Sequence, residues 1–172
     1  KAAATADQLS NGRLLLGVAS GDRPEEYPAL GMTYPDRGKR FRDALTYIRA
    51  TAEAYPTHQG SHGMLAGGID MLPKPTADRL PVLITGGSQQ APDWIAEHSD
   101  GWMTYPRDAR AQAHVVQDYR ARTPVEKPVM QSLYIDLLPE PDARPRPIHL
   151  GFQSGTDFLL SYLRELRALG IN

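Results

Sequence analysis

Short apolar runs alternate along this chain with longer segments whose apolar residues recur every three to four positions. The runs fall at residues 13–20, 81–85, 101–105 and 129–138. The first of them, Arg13-Leu14-Leu15-Leu16-Gly17-Val18-Ala19-Ser20, is almost uninterrupted, the pattern of a strand covered on both faces. Between the runs lie helical stretches at about 36–53, 94–98, 106–122 and 157–169. In the first, Phe41, Leu45 and Ile48 share one face; in the last, Phe158, Leu159, Tyr162, Leu163 and Leu166 do. Residues 1–9 read as the end of another helix, stopped by Ser10-Asn11-Gly12, where Asn or Gly adopts the left-handed cap conformation. The order α-β-α-β-α-β-α-β-α implies right-handed parallel crossovers and an α/β fold. Residues 55–80 break the alternation as an irregular excursion with a short hairpin around Gly67-Gly68, and a Pro-rich stretch spans 139–147.

A length of 172 residues suits one domain with a true core. The net charge of −1 and the scattered basic residues give no footprint for nucleic acid. No apolar run reaches the length of a membrane span, and residues 1–9 lack the apolar middle of a signal peptide. The absence of cysteine excludes disulfides and thiolate chemistry, and it fits a cytoplasmic protein. His58 and His62 stand four apart without an HExxH frame, so no metal site is expected. His98 is placed at a helix C-terminus, where the dipole favours an imidazolium. Neither a GxSxG elbow, a P-loop nor a GxGxxG fingerprint occurs, and no catalytic acid or base stands out. The chain opens inside a helix and stops where a strand should begin. Four parallel strands cut this way leave both edges bare, which reads as a truncated chain or one completed by another copy.

Ligands of parallel α/β folds sit beyond the carboxyl ends of the strands, so the four junctions there carry the candidate chemistry. Thr85-Gly86-Gly87-Ser88-Gln89-Gln90 is the strongest: two glycines let a phosphate approach the backbone, helix-start amides point at it, and Ser88 adds a hydroxyl. The plain alternative is a tight turn with Ser88 as an N-cap. Ser20-Gly21 leaves room for a flat ring whose polar edge Asp22 or Arg23 can reach, or is a turn followed by solvated charges. Tyr105 can wall a pocket and Arg107 meet an anion, unless Arg107 is simply a helix-start surface residue. The stretch 149–156 is another glycine-containing approach to a helix, with Thr156 as its N-cap.

With those junctions laid out, the chain resembles the luciferase-like monooxygenases, flavin- or deazaflavin-dependent (β/α)8 barrels. Asp7-Gln8-Leu9-Ser10-Asn11-Gly12-Arg13 is similar to that family's D-x-L-S-x-G-R entry into its fourth strand. Residues 37–49 resemble its fourth helix, and Leu72-Pro73-Lys74-Pro75 with 80–88 its excursion and fifth strand. Residues 94–102 resemble the A-E-x-A-D-G-W join to its sixth strand. The resemblance, closest to a bacterial subgroup, implies a single incomplete TIM-barrel domain over 1–172, holding about strands 4 to 7 with their helices. It implies a flavin, FMN or alternatively F420, with its phosphate at Gly86, Gly87, Ser88 and Gln89, and with Ser20 and Gly21 beside it. Some relatives carry an acidic residue where Gly87 stands and an Arg where Ser20 stands, which leaves FMN against F420 open. The implied activity is that of a flavin-dependent oxidoreductase or monooxygenase, reduced flavin acting on a small organic substrate. A flavin reductase is a further partner expected beside the small-molecule substrate, and the bare strand edges lead to the expectation of a homo-oligomer. The alternative is a flavin-binding protein without turnover, or an inactive fragment of such an enzyme.

Overall fold

The computed structural model describes residues 1–61 and 63–172, and the chain divides into two compact units. The first comprises residues 1–83 and 87–90; the second comprises 84–86 and 91–172.

The first unit opens with α1 (Ala2–Leu9). The stop signal after it behaves as the sequence predicts. Asn11 (φ 56°) and Gly12 (φ 75°) turn left-handed. The Asn11 N–H donates to Gln8 O at 3.1 Å and the Gly12 N–H to Asp7 O at 2.9 Å, the paired bonds of a Schellman motif. β1 (Leu16–Val18) follows. It is shorter than the run 13–20 and is not covered on both faces as expected: its burial alternates, and the neighbouring Leu15 is 45% exposed. A short helix α2 (Glu26–Ala29), absent from the sequence reading, precedes α3 (Arg37–Ala50). Phe41 and Leu45 are buried on the predicted face of α3, whereas Ile48 is 37% exposed.

The excursion contains a hairpin of β2 (Thr57–Gly60) and β3 (Gly63–Ala66). Its register pairs Thr57 with Ala66 and Gly60 with Gly63, so the hairpin is not centred on Gly67-Gly68 as expected. Gly67 instead leaves the hairpin, its N–H bonded to Pro56 O at 3.1 Å. His62 lies outside the described residues. Lys74 closes the C-terminal end of α3, donating to Thr51 O at 3.2 Å and Glu53 O at 2.5 Å.

Asp7 ties α1 to the end of this excursion. It is 2% exposed, and its carboxylate accepts the Thr76 N–H at 2.7 Å. That backbone hydrogen bond holds its pKa below the usual carboxylate range. A folded-state value below the unfolded one contributes stability above the unfolded pKa and loses it as pH falls through the folded value. Asp7→Asn is therefore expected to melt earlier than the parent at pH 7. The gap should narrow below about pH 4, and a gap constant from pH 7 to pH 3 would show that the charge plays no part.

The last strand of this unit continues into the second. β4 (Val82–Thr85) begins in the first unit and ends in the second, which also holds β5 (Gly101–Thr104) and β6 (Val129–Gln131). Val82, Leu83 and Ile84 are at most 1% exposed. β5 and β6 run parallel with Trp102 opposite Val129 and Thr104 opposite Gln131, joined by α5 (Ala109–Arg122). The Asp108 side chain caps α5 by accepting the Ala111 N–H at 2.9 Å. α4 (Pro92–His98) is closed by Lys127, which donates to Ala96 O at 2.6 Å and Ser99 O at 2.7 Å.

Residues 129–138 do not form one long strand. After Gln131 the chain leaves β6, and β7 (Tyr134–Leu137) pairs parallel with β9 (Gly151–Ser154) in a separate sheet. β8 (Arg146–Ile148) completes that sheet on the other edge of β9. Glycine permits this arrangement: a Cβ on Gly151 would stand 1.8 Å from Tyr134 O. His149 and Leu150 then form the β8–β9 turn, with Leu150 at φ 52°. The expected Thr156 cap is also displaced, since α6 (Thr156–Ala168) begins after Gly155. Any Cβ there would meet Pro141 O at 2.2 Å. Phe152 packs edge-on against Phe158 and Tyr162 at 4.9 and 5.0 Å, but of the predicted face of α6 only Leu166 is buried, and Leu163 stays 44% exposed. Beyond α6, the Asn172 N–H donates to Val129 O at 2.8 Å while its side chain accepts the Val129 N–H at 3.0 Å.

Candidate functional site

The loop after β4 has a different basis from the one the sequence suggested. Helix α4 starts only at Pro92, with Ala91 as its N-cap, so Ser88 does not cap it. Pro92 carries no N–H, and no helix mouth opens at the glycines. The loop is instead a turn of unusual backbone, left-handed at Gly86 (φ 58°), Ser88 (φ 42°) and Gln89 (φ 59°). The Gln90 N–H closes it onto Gly87 O at 2.8 Å.

The two glycines have separate tasks. Gly86, at the edge of the second unit, donates its N–H to Met103 O at 2.8 Å and accepts Trp102 Nε1 at 2.9 Å. A Cβ on it would meet the Tyr105 ring at 3.1 Å. Its glycine is needed for packing. Gly87 is exposed, without positive φ, and a Cβ on it would meet nothing within 4 Å. Packing does not require a glycine there, which leaves space above the turn for something else.

In the first unit this turn is seated on α3. A Cβ on Gly38 would stand 2.9 Å from Gln89 Cβ and 3.2 Å from Gln89 O. The Gln90 side chain donates to Gly38 O at 2.8 Å and to Ser88 O at 3.0 Å, and accepts Arg42 Nη1 at 2.8 Å. Gly38 and Arg42 were given no part in the site by the sequence reading, and Gln90 entered it only as the end of the glycine-rich junction. A glycine in the first turn of a helix costs roughly 1 kcal/mol relative to alanine, and that cost was the available signal of a close approach at Gly38.

Ser20 and Gly21 also belong to the first unit, after β1. The Tyr27 hydroxyl donates to Ser20 O and lies 3.3 Å from Gly21 O. Gly21 has φ 81°, and a Cβ on it would meet Tyr27 Oη at 2.8 Å, so α2 fills the space beside this glycine. An open cavity of about 320 Å³ adjoins it, lined among others by Ser20, Gly21, Tyr27, Met32, Arg37 and Arg40. Arg37 stacks over Tyr34 at 3.7 Å, and Tyr34 meets Tyr27 edge-on at 5.1 Å. Of the flanking charges, Arg23 pairs with Glu26 at 3.2 Å, both side chains exposed.

In the second unit, Tyr105 is 42% exposed. Arg107 clamps the loop between β5 and α5: its Nη1 donates to Thr104 Oγ1 at 2.6 Å, Tyr105 O at 2.8 Å and Gln112 Oε1 at 3.3 Å. Gln112 is fully buried. Among the histidines, His98 stacks on Trp94 at 4.4 Å with Nδ1 3.0 Å from Trp94 O. Among the described residues, no group of His, Asp and Glu is arranged to hold a metal ion, and no helix is long and apolar enough to cross a membrane.

Comparison with known proteins places this geometry. The luciferase-like monooxygenase family matches residues 1–151. Uncharacterized proteins of Mycobacterium tuberculosis and Mycobacterium bovis are 31% identical over 154 residues, covering 88% of this chain and 54% of theirs. The chain thus spans about half the length of these relatives. Its fold is similar to that of the monooxygenase RslO1 from Streptomyces bottropensis, with a TM-score of 0.69 and 21% identity over 96% of this chain and 50% of that one. It is also similar to a riboflavin lyase, RcaE, solved with modified FMN and riboflavin, with a TM-score of 0.56, 11% identity, and coverage of 98% of this chain and 49% of that one. Mixed α/β architecture, the order of elements and the sequence match agree, and the chain belongs to the luciferase-like monooxygenase family.

Proposed function

We propose that this chain is the flavin-holding portion of a (β/α)8-barrel oxidoreductase, in which reduced flavin acts on a small organic substrate. The observation that carries the reading is Gly87: exposed, open above its Cα, and part of a turn fastened to α3. Such a turn would offer main-chain amides to an anion, with no side chain at position 87 to block it. The family match and the FMN recorded with the riboflavin lyase support a flavin as the ligand. FMN is the cofactor proposed, its phosphate at Gly86, Gly87, Ser88 and Gln89, with Ser20 and Gly21 beside its ring. Tyr105 and Arg107 are the proposed substrate contacts of the second unit.

A bound flavin supplies hydride transfer or activation of O2; the chain's own residues bind and orient it and exclude water. The turn at 87–89 would anchor the anionic end. The strap at Ser20 and Gly21, held by the Tyr27 hydroxyl, would keep its backbone in place beside the ring. Arg107 fixes the backbone of Tyr105.

Titration with FMN, riboflavin and F420, followed by fluorescence or calorimetry, tests the reading. Saturable binding with FMN preferred over riboflavin supports it. Preference for F420 reassigns the cofactor, and no binding of any of the three overturns the proposal. Consumption of reduced flavin with O2 or an acceptor then separates an enzyme from a protein that binds flavin without turnover. Reduced flavin would come from a separate reductase. A homo-oligomer is proposed as well, because strand β7 leaves Ile135 and Leu137 43% and 50% exposed. Sedimentation is expected to show a species larger than one chain, and a stable dilute monomer would contradict it.

A further inference from the structure

We infer that Gln90 is a positioning residue for the phosphate-holding turn, acting as a clamp that locks residues 87–89 onto the first turn of α3. The inference deepens the flavin reading above and rests on it. A primary amide is the one neutral side-chain group that offers two donors on one nitrogen and an acceptor beside it. Gln90 uses all three functions. Nε2 donates to Gly38 O at 2.8 Å and to Ser88 O at 3.0 Å, while Oε1 accepts Arg42 Nη1 at 2.8 Å. One side chain therefore joins the turn's own backbone to a helix some fifty residues earlier in the chain.

The backbone it holds would not hold itself. Ser88 and Gln89 are both left-handed, a region that non-glycine residues occupy at a cost. Their conformation must be fixed by surroundings, and the contacts with α3 supply these. Gly38 completes the seat, because a Cβ there would come within 2.9 Å of Gln89 Cβ. Without the clamp the turn would relax toward ordinary backbone angles and its amides would no longer converge on an anion. Ligand groups must be held within about half an ångström of their working positions to keep affinity. Gln90 does this without touching the ligand.

The test compares FMN with riboflavin, which lacks the phosphate. The parent chain should bind FMN more tightly. Gln90→Leu, which keeps the bulk and removes all three polar functions, is expected to lower FMN affinity about tenfold. Riboflavin affinity should stay unchanged, so that the ratio between the two ligands collapses. A merely structural role would weaken both ligands together. Gly38→Ala is the second arm: it should collapse the same ratio by unseating the turn, although alanine itself favours helix. A Gln90→Leu or Gly38→Ala chain that folds and keeps the parent's ratio overturns the inference. Should Gln90→Leu not fold, Gln90→Glu decides in its place, since it retains the acceptor for Arg42 but loses both donors. A parent chain with no preference for FMN overturns the phosphate reading as well, and so is distinguishable from failure of the clamp alone.

Discussion

Gly87→Val is expected to lower FMN affinity roughly a hundredfold while leaving stability within about 0.5 kcal/mol of the parent. The two halves of this expectation come from one geometry. Position 87 has no positive φ, and its Cβ direction is empty to 4 Å, so a branched side chain meets no protein atom as it leaves the backbone. What it would occupy is the space above the turn, where the anion is proposed to sit. A hundredfold corresponds to about 2.8 kcal/mol, the worth of one to two charge-assisted hydrogen bonds at about 1.5–3 kcal/mol each. Isothermal titration with FMN, beside a thermal melt, reads both. An unchanged affinity in a folded variant would remove the phosphate from this turn. The neighbouring glycine provides the contrast. Gly86→Val must strain a left-handed residue and push into the Tyr105 ring at 3.1 Å, so it should destabilise the fold before any ligand is added.

Ile84→Ala is the second large effect, and it concerns the scaffold. Ile84 is fully buried in β4, between Leu83 at 1% exposure and the half-buried Thr85. Truncation removes buried methylenes and leaves a cavity in a site with little freedom to collapse, at a cost of about 2–5 kcal/mol. For a chain of this size that lowers the melting temperature by about 10 °C. Urea denaturation should show an earlier midpoint with an unchanged slope. Leu15→Ala is the control, since Leu15 is 45% exposed beside β1. A loss below about 1 kcal/mol for Ile84→Ala would mean that β4 is not the packed centre that its burial indicates.

The parts of the fold visible in the sequence are those decided locally. Asn11 and Gly12 end α1 because their own backbone preferences suit a Schellman motif. The run at 81–85 forms β4 because every residue in it profits from burial. The parts that were hidden depend on residues far apart. Nothing within 129–138 announces that the chain abandons β6 after Gln131; the reason lies at Gly151, whose missing Cβ lets β9 come close to Tyr134. The seat at Gly38 and the clamp at Gln90 are hidden in the same way, since neither has meaning until α3 and the turn meet. At Ser88 the hydroxyl beside two glycines suggested a helix cap where the chain makes a turn, because the helix start is set by Ala91 and Pro92 further on.

Because the turn is fastened to Gly38 and Arg42, the proposed anion seat would be a tertiary property rather than a property of the loop. Any opening that lifts residues 37–50 would erase it, even with the glycine-rich segment untouched. Conversely, an occupied turn should hold that helix down, slowing amide hydrogen exchange in its first turns by the same free energy that the ligand gains from finding its seat already formed.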